Sequence, residues 1–237
     1  MVTNKRSRLT ILGLAFVLIA SFGLTSAQAQ LQQLPAQKYI NLMNKVNAKR
    51  DLKINQIIAK LGLKNGDILA DIGSGSGTFT IPFAKAVAPK GTVYAVDIDP
   101  KMLDYVKQRA EKAGVTNVVT VLGSYTDPKL PVKDVDIAYF HRSLHMIEKR
   151  EAYLDNTINY LKPTGRIVVI DKNPQDNPQN WMWLRKSDLD SWMAAEGFYD
   201  IHHFGLFDDM YFVVYQRPYS GSVLTKRMME QMKKESQ

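Results

Sequence analysis

Three glycines at alternate positions, Gly73, Gly75 and Gly77, follow a short apolar run (Ile68, Leu69, Ala70, Ile72) and precede a helical pattern that begins at Thr78. Glycines spaced this way let a turn take dihedrals closed to other residues, and let a ligand lie on the main chain without meeting a Cβ atom. Asp71, two residues before the first glycine, adds a carboxylate. That charge would repel a pyrophosphate and suits a ligand bearing a cation, such as an amino acid's ammonium group. Asp97 stands 22 residues after Gly75 at the end of the next apolar run. In open parallel sheets an acid at that place bonds the ribose hydroxyls of an adenosine-containing ligand. His141 and His145 contribute the side chains that change charge near neutral pH.

These residues need elements to place them. Apolar residues at 54, 57, 58 and 61 predict a helix over 51–61, closed by Gly62 and the Asn65-Gly66 turn. Strands are expected at 68–72, 92–98, 117–122, 134–140 and 166–170. Between them lie helices at about 78–88, with Pro82 in the first turn, and at 100–114 and 148–161. Lys162-Pro163-Thr164-Gly165 reads as the turn into strand five, and 171–180 as a polar loop at its end. A helix over 187–196 and two strands at 198–204 and 210–216, close enough for an antiparallel pair, complete the body. The expected fold is α/β: a Rossmann-like seven-stranded, mostly parallel sheet with helices on both faces and an antiparallel last strand. Asp99 is an alternative to Asp97, although it also fits as the cap of the helix that starts at Pro100.

The dinucleotide fingerprint needs a third glycine where this chain has Thr78, so the turn reads GxGxG rather than GxGxxG. The stretch ILADIGSGSGTFT (68–80) resembles motif I of the class I S-adenosylmethionine (SAM) dependent methyltransferases. There an acid, a GxGxG turn and a helix cradle the cofactor's methionine end. VYAVDIDPKML resembles the family's VxGVDxxxxML segment. LHMIEKR…LDNTINYLKPTGRIVVID resembles the region after strand four in methyltransferases related to the quinone-modifying ones, with Thr164 in place of a usual glycine. The segment 48–80 is similar to the start of exported bacterial methyltransferases inferred from sequence, AxRDLxxxxxIxxxLGLxxGDxxADIGxGxGxFT. The resemblance extends over about residues 50–217. It implies SAM as cofactor, with Asp71, Gly73, Ser74, Gly75 and Gly77 at its methionine end and Asp97 and Ile98 at its adenosine. The family commonly has an acid after strand three that binds the adenine amine. This chain has Gly123-Ser124-Tyr125, so Ser124 or backbone groups would serve the adenine edge, and Tyr125 would stack on the ring or be plain core.

Methyl transfer from a sulfonium is an in-line displacement, carried mostly by positioning, and a base is needed only for a protonated nucleophile. His145 is the leading candidate base or acceptor-positioning residue, with His141 behind it; the alternative is a histidine satisfied by backbone carbonyls. The two stand four apart, a metal-pair spacing on a helix, but no Glu follows the first and no third ligand is evident, so no metal is expected. Asp171 could hold a substrate hydroxyl or cap its loop. The three tryptophans, Trp181, Trp183 and Trp192, could wall an apolar acceptor or simply pack. The Asn/Asp-Pro-Pro-aromatic motif of adenine and glutamine-amide methyltransferases is replaced by Tyr-Phe-His-Arg-Ser-Leu. A small-molecule acceptor is therefore expected, and no nucleic acid. Two rivals remain: a non-catalytic exported protein that binds SAM or a related adenosine ligand, and a nucleotide-dependent oxidoreductase.

The 237 residues contain no cysteine, which removes disulfides, thiolate metal sites, cysteine nucleophiles and a lipoprotein anchor together. Lys5, Arg6 and Arg8 precede an apolar run from Leu9 to Leu24, and Ala27-Gln28-Ala29 fits a small-x-small cleavage site. This pattern predicts a signal peptide over 1–29, export to the periplasm and no stable membrane insertion after cleavage; an uncleaved anchor is the alternative. Cleavage would lower the net charge from +8 to +5, too little to argue for nucleic acid. An arm (30–50), a methyltransferase domain (51–217) and a helical tail (218–237) are expected to follow.

Overall fold

The computed structural model describes residues 36–230 apart from 49, 173–183, 223, 228 and 229. The chain divides into two compact units at Lys49/Arg50. In the first, helix α1 spans Ala36–Ala48, where an irregular arm or a short helix was expected. The second holds the sheet and every candidate site residue.

Seven strands form one sheet: β1 (Ile68–Ile72), β2 (Thr92–Asp97), β3 (Val118–Leu122), β4 (Val135–His141), β5 (Leu161–Lys172), β6 (Tyr199–His203) and β7 (Met210–Gln216). Their spatial order is β3-β2-β1-β4-β5-β7-β6. The first five run parallel, and β7 lies antiparallel to both β5 and β6. The strand order reverses between β1 and β4, which opens a crevice at their carboxyl ends. Asp71, Asp97 and His141 all stand at such ends.

Near-continuous apolar runs make β1, β2 and β4 buried on both faces, as parallel strands must be. One face is covered by α5 (Arg150–Ile158) and α6 (Lys186–Ala195), which bring Tyr153, Leu154, Leu189 and Met193 onto Ala70, Ala138 and Val169. The other is covered by α2 (Ile54–Leu61) and α3 (Thr80–Val87), which bury Ile57, Leu61, Phe83 and Val87 against Leu69, Ile137 and Val168. α2 ends at Gly62, whose φ of 62° closes the helix in the left-handed form that glycine tolerates. α4 (Pro100–Lys112) starts with Asp99, whose carboxylate accepts from the Lys101 amide at 2.9 Å.

Two boundaries differ from expectation. α3 begins at Thr80 rather than Thr78, because the glycine turn continues to Phe79 and the Thr80 hydroxyl is drawn to Asp71. β5 starts at Leu161, so the residues read as a turn lie within the strand. The pairing with β4 slips there, from Val135↔Leu161 to Ile137↔Arg166, and absorbs residues 162–165 as an irregularity. Lys162 bonds both oxygens of Asp136 at 2.8 Å and holds that irregular edge in place. Trp181, Trp183 and most of the expected loop 171–180 lie outside the described residues.

Candidate functional site

The glycine turn is built in two different ways. Gly73, Gly75 and Gly77 all have positive φ, at 71°, 52° and 74°. A Cβ on Gly73 would stand 2.5 Å from the Cβ of Ser143, and one on Gly77 would stand 3.1 Å from Val106 of α4. A Cβ on Gly75 would meet nothing within 4 Å. The outer glycines thus seat the turn against the protein, and the middle one faces open space. Ser74 beside it is buried, and its Oγ has no partner among the described residues. A buried hydroxyl left unpaired next to open space is what a polar ligand group would satisfy.

Asp97 is tied to this turn. Its Oδ2 accepts from the Gly75 amide at 2.9 Å, and its Oδ1 from the Asp99 amide at 3.0 Å. Asp99, by contrast, is occupied as the cap of α4. The two acids therefore have different partners: Asp97 bonds the glycine turn, and Asp99 caps the helix that follows. Burial raises the Asp97 carboxyl above its usual range, while the Asp99 and Gly75 amides hold it down.

Asp71 lies deeper, 3 % exposed, and accepts from the Thr80 hydroxyl at 2.6 Å. Burial pushes its carboxyl up to about 7. The Thr80 hydrogen bond opposes that rise, and the charge of Asp97 adds to it. A cation arriving at the turn would reverse this by favouring the ionised form.

Arg142, the residue after β4, has a φ of 54°, an uncommon conformation for a residue with a side chain. It turns the chain so that Ser143 packs on Gly73 and donates its hydroxyl to the Ile72 carbonyl at 2.6 Å. A short 3-10 turn, Leu144–Met146, then carries His145. His145 Nδ1 lies 2.7 Å from Asp171 Oδ1 and 3.0 Å from Oδ2. The partner of His145 is a carboxylate at the end of β5, not a backbone carbonyl.

His141 does not join this pair. It closes β4 with its ring against Phe79 at 4.3 Å and parallel to Tyr139 at 6.2 Å. Burial lowers its pKa to about 4, with Asp171 opposing the shift and Arg50 reinforcing it, so the ring is neutral at physiological pH. One histidine ends a strand and the other sits in a turn, so the pair does not share a helix face. Among the described residues no cluster of His, Asp and Glu is placed to hold a metal.

At the expected adenosine end, Ile98 and Tyr125 are exposed, Tyr125 to 72 %, and so is Leu122 at the end of β3. Tyr125 is not core. The Ser124 hydroxyl donates to the Asp127 carbonyl at 3.2 Å, and its amide to the same oxygen at 2.8 Å, a local turn that leaves the backbone to define this edge.

Sequence reasoning missed Ser143, Thr80, Arg109 and Arg150. Arg109 of α4 donates to the Ser76 carbonyl of the turn, and Arg150 donates to the His145 carbonyl at 2.8 Å. No local pattern marks a residue whose role is to hold another element's backbone. Only Thr80, nine residues from Asp71 at the helix start, offered a signal, as a hydroxyl among apolar residues.

An open middle glycine, an orphaned Ser74 hydroxyl, an anchored Asp97 and exposed apolar side chains after β2 and β3 together fit a ligand with an amino-acid head, a ribose and a flat base. Comparison with known proteins agrees. A family model described as a methyltransferase domain matches residues 63–202, more than half of the chain. The chain is 31 % identical over 106 residues to a ubiquinone/menaquinone biosynthesis C-methyltransferase of Ectopseudomonas mendocina, covering 44 % of this chain and 41 % of that protein. It is 29 % identical over 107 residues to a nocamycin O-methyltransferase of Saccharothrix syringae, covering 45 % and 38 %. The matched stretch thus spans less than half the length of these curated relatives. The fold is shared with a SAM-dependent methyltransferase from Aquifex aeolicus, with a TM-score of 0.63 at 21 % identity over 68 % of this chain and 88 % of that one. The chain belongs to the class I SAM-dependent methyltransferase family, and SAM is the cofactor that its site fits.

Proposed function

We propose that this member of the family transfers a methyl group from SAM to a small-molecule acceptor by in-line displacement. One observation carries the reading: the middle glycine of the turn is open while its neighbours are packed, and the acid that would hold the ribose is bonded to that same glycine. A fold kept only as scaffold has no need of that arrangement.

When bound, SAM supplies an electrophilic methyl carbon on a sulfonium. The chain's own work is placement. Asp97 would take the ribose hydroxyls, Ser74 and the Gly75 backbone the polar head, and Ile98 with Tyr125 the adenine. Buried Asp71 sits beneath the turn, where a carboxylate favours a cationic ligand. His145, fixed at the carboxyl end of the sheet, faces the acceptor side. Relatives named for quinone biosynthesis and for nocamycin support a small acceptor.

The basic start, the apolar run and Ala27-Gln28-Ala29 support an exported, periplasmic protein that is released from the membrane once the leader is removed. Among the described residues no helix is long and apolar enough to cross a membrane. Export also favours a second reading, because SAM is made in the cytoplasm: a protein that binds SAM or a related adenosine ligand without turnover. Incubating the purified protein with methyl-labelled SAM and small-molecule extracts separates the two. Label in a product, absent with Asp97→Ala, supports transfer; tight binding with no labelled product from any extract favours the second reading.

A further inference from the structure

We propose that Asp171 and His145 form a proton-accepting pair, and that the acceptor is a hydroxyl compound methylated on oxygen. This deepens the methyl-transfer reading above and rests on it.

The argument begins with how tightly His145 is held. Asp171 is 1 % exposed, and its carboxylate accepts from His145 Nδ1 at 2.7 Å, from the His145 amide at 3.3 Å and from the Lys172 amide at 2.8 Å. The His145 carbonyl accepts from Arg150 Nη2 at 2.8 Å. Three atoms of one histidine are thus fixed by two charged side chains, one from β5 and one from α5. Tyr211 of β7 and His141 of β4 also face Asp171, and Tyr211 spends its hydroxyl on the Leu184 carbonyl at 3.1 Å.

A carboxylate that accepts from Nδ1 keeps the proton on that nitrogen and leaves the lone pair on Nε2. Among the described residues Nε2 has no hydrogen-bond partner, and the side chain is 10 % exposed, so this basic atom keeps access to its surroundings. A histidine retained for packing would not need a buried carboxylate to select its tautomer. His141, whose Nε2 is buried without a partner among the described residues and whose ring lies parallel to Tyr139, is the packing histidine of the two.

The base in turn narrows the acceptor to one that must lose a proton, a hydroxyl compound or a carbon acid, and methylation on carbon is the competing outcome that the product of the test below reads. A neutral amine offers its own lone pair, and a thiol, with a pKa near 8.5, is partly ionised already. A phenol near 10, or an alcohol above it, keeps its proton at neutral pH and would otherwise become a cationic oxonium. In the step proposed, the hydroxyl proton passes to His145 Nε2 as the oxygen–carbon bond forms. The methyl–sulfur bond breaks, and its electron pair stays on sulfur. A hydroxyl compound, a sulfonium and a neutral imidazole become an ether, a thioether and an imidazolium held beside Asp171.

Two measurements on the full chain test this, with SAM affinity by calorimetry as the control for the underlying reading. Long-range proton–nitrogen NMR on 15N-histidine protein at pH 8 should show His145 protonated at Nδ1 and bare at Nε2. Asp171→Asn should move the proton to Nε2, and Asp171→Glu should restore it in part. Methyl transfer is then compared for phenol and for 4-nitrophenol, which is ionised at that pH. His145→Gln should lower transfer to phenol by on the order of 10²–10⁴-fold and transfer to 4-nitrophenolate far less, with SAM affinity unchanged. An Nε2–H tautomer in the wild type, equal losses for both phenols, methylation of phenol on a ring carbon, or transfer only to amines and thiols would overturn the proposal. So would a protein that binds SAM and methylates no hydroxyl compound. Failure to bind SAM at all would instead strike the methyl-transfer reading beneath it.

Discussion

The amide of Gly75 donates to Asp97 Oδ2 across 2.9 Å, joining the turn after β1 to the acid that ends β2. The same carboxylate accepts from the Asp99 amide on its other oxygen. A ligand lying on the turn therefore meets an acid whose position is already fixed, so little ordering cost remains at binding.

Asp97→Ala should weaken SAM binding by roughly 1–3 kcal/mol, since it removes a charged acceptor and leaves two amides unpaired. Asp99→Ala should leave SAM affinity unchanged and cost about 1 kcal/mol of stability, as loss of a helix cap does. Calorimetry and urea melts on the two variants read both quantities. The reverse pattern would exchange the roles of the two acids.

Gly73→Ala and Gly75→Ala should part company. At Gly73 the new methyl meets Ser143 in a backbone already at φ 71°, so overpacking of about 1–3 kcal/mol adds to the left-handed penalty. At Gly75 only the roughly 1–2 kcal/mol left-handed penalty applies, but the methyl enters the ligand's space. Thermal melts should rank Gly73→Ala as less stable, and SAM titration should rank Gly75→Ala as worse per unit of stability lost. Adding Ser143→Gly should recover part of the Gly73→Ala loss and none of the Gly75→Ala loss.

Asp71 should impose a pH dependence on folding. Its folded pKa, pushed up to about 7, lies above the roughly 3.9 of an unfolded Asp, so the folded chain holds the proton more tightly. The stability this contributes is complete below about pH 4 and is lost as pH rises to about 7. Asp71→Asn, which keeps an acceptor for Thr80, should therefore gain on the wild type steadily over that window. Urea melts at several pH values would show it, and parallel profiles for the two proteins would refute it.

If the ligand brings a cation close to Asp71, binding near pH 6.5 should release protons. Calorimetry in buffers of different ionisation enthalpy would then give enthalpies that vary with the buffer. Asp71→Asn should abolish most of that variation.

The fold was legible because its strands are apolar runs whose length and spacing leave few alternatives, and because Gly62, Asp99-Pro100 and the GxGxG turn mark their boundaries locally. Asp97 was legible for the same reason: its place at the end of β2, beside the glycine turn, follows from its distance along the chain. Asp171 was only half legible. Its place at the end of β5 could be read, but its partner could not, since His145 and Asp171, 26 positions apart, become neighbours only when β4 and β5 pair. Ser143 and Arg150 act through contacts that the sheet creates, and β5 gained its extra residues from a slip in pairing that no turn chemistry announces. Long-range register was the missing quantity in each case.

The most direct test of the central claim is titration calorimetry of the purified protein with SAM and with its demethylated product, S-adenosylhomocysteine. Micromolar binding of both, weakened in Asp97→Ala and unchanged in Asp99→Ala, is the predicted result. A folded protein that binds neither would contradict a cofactor site at the glycine turn.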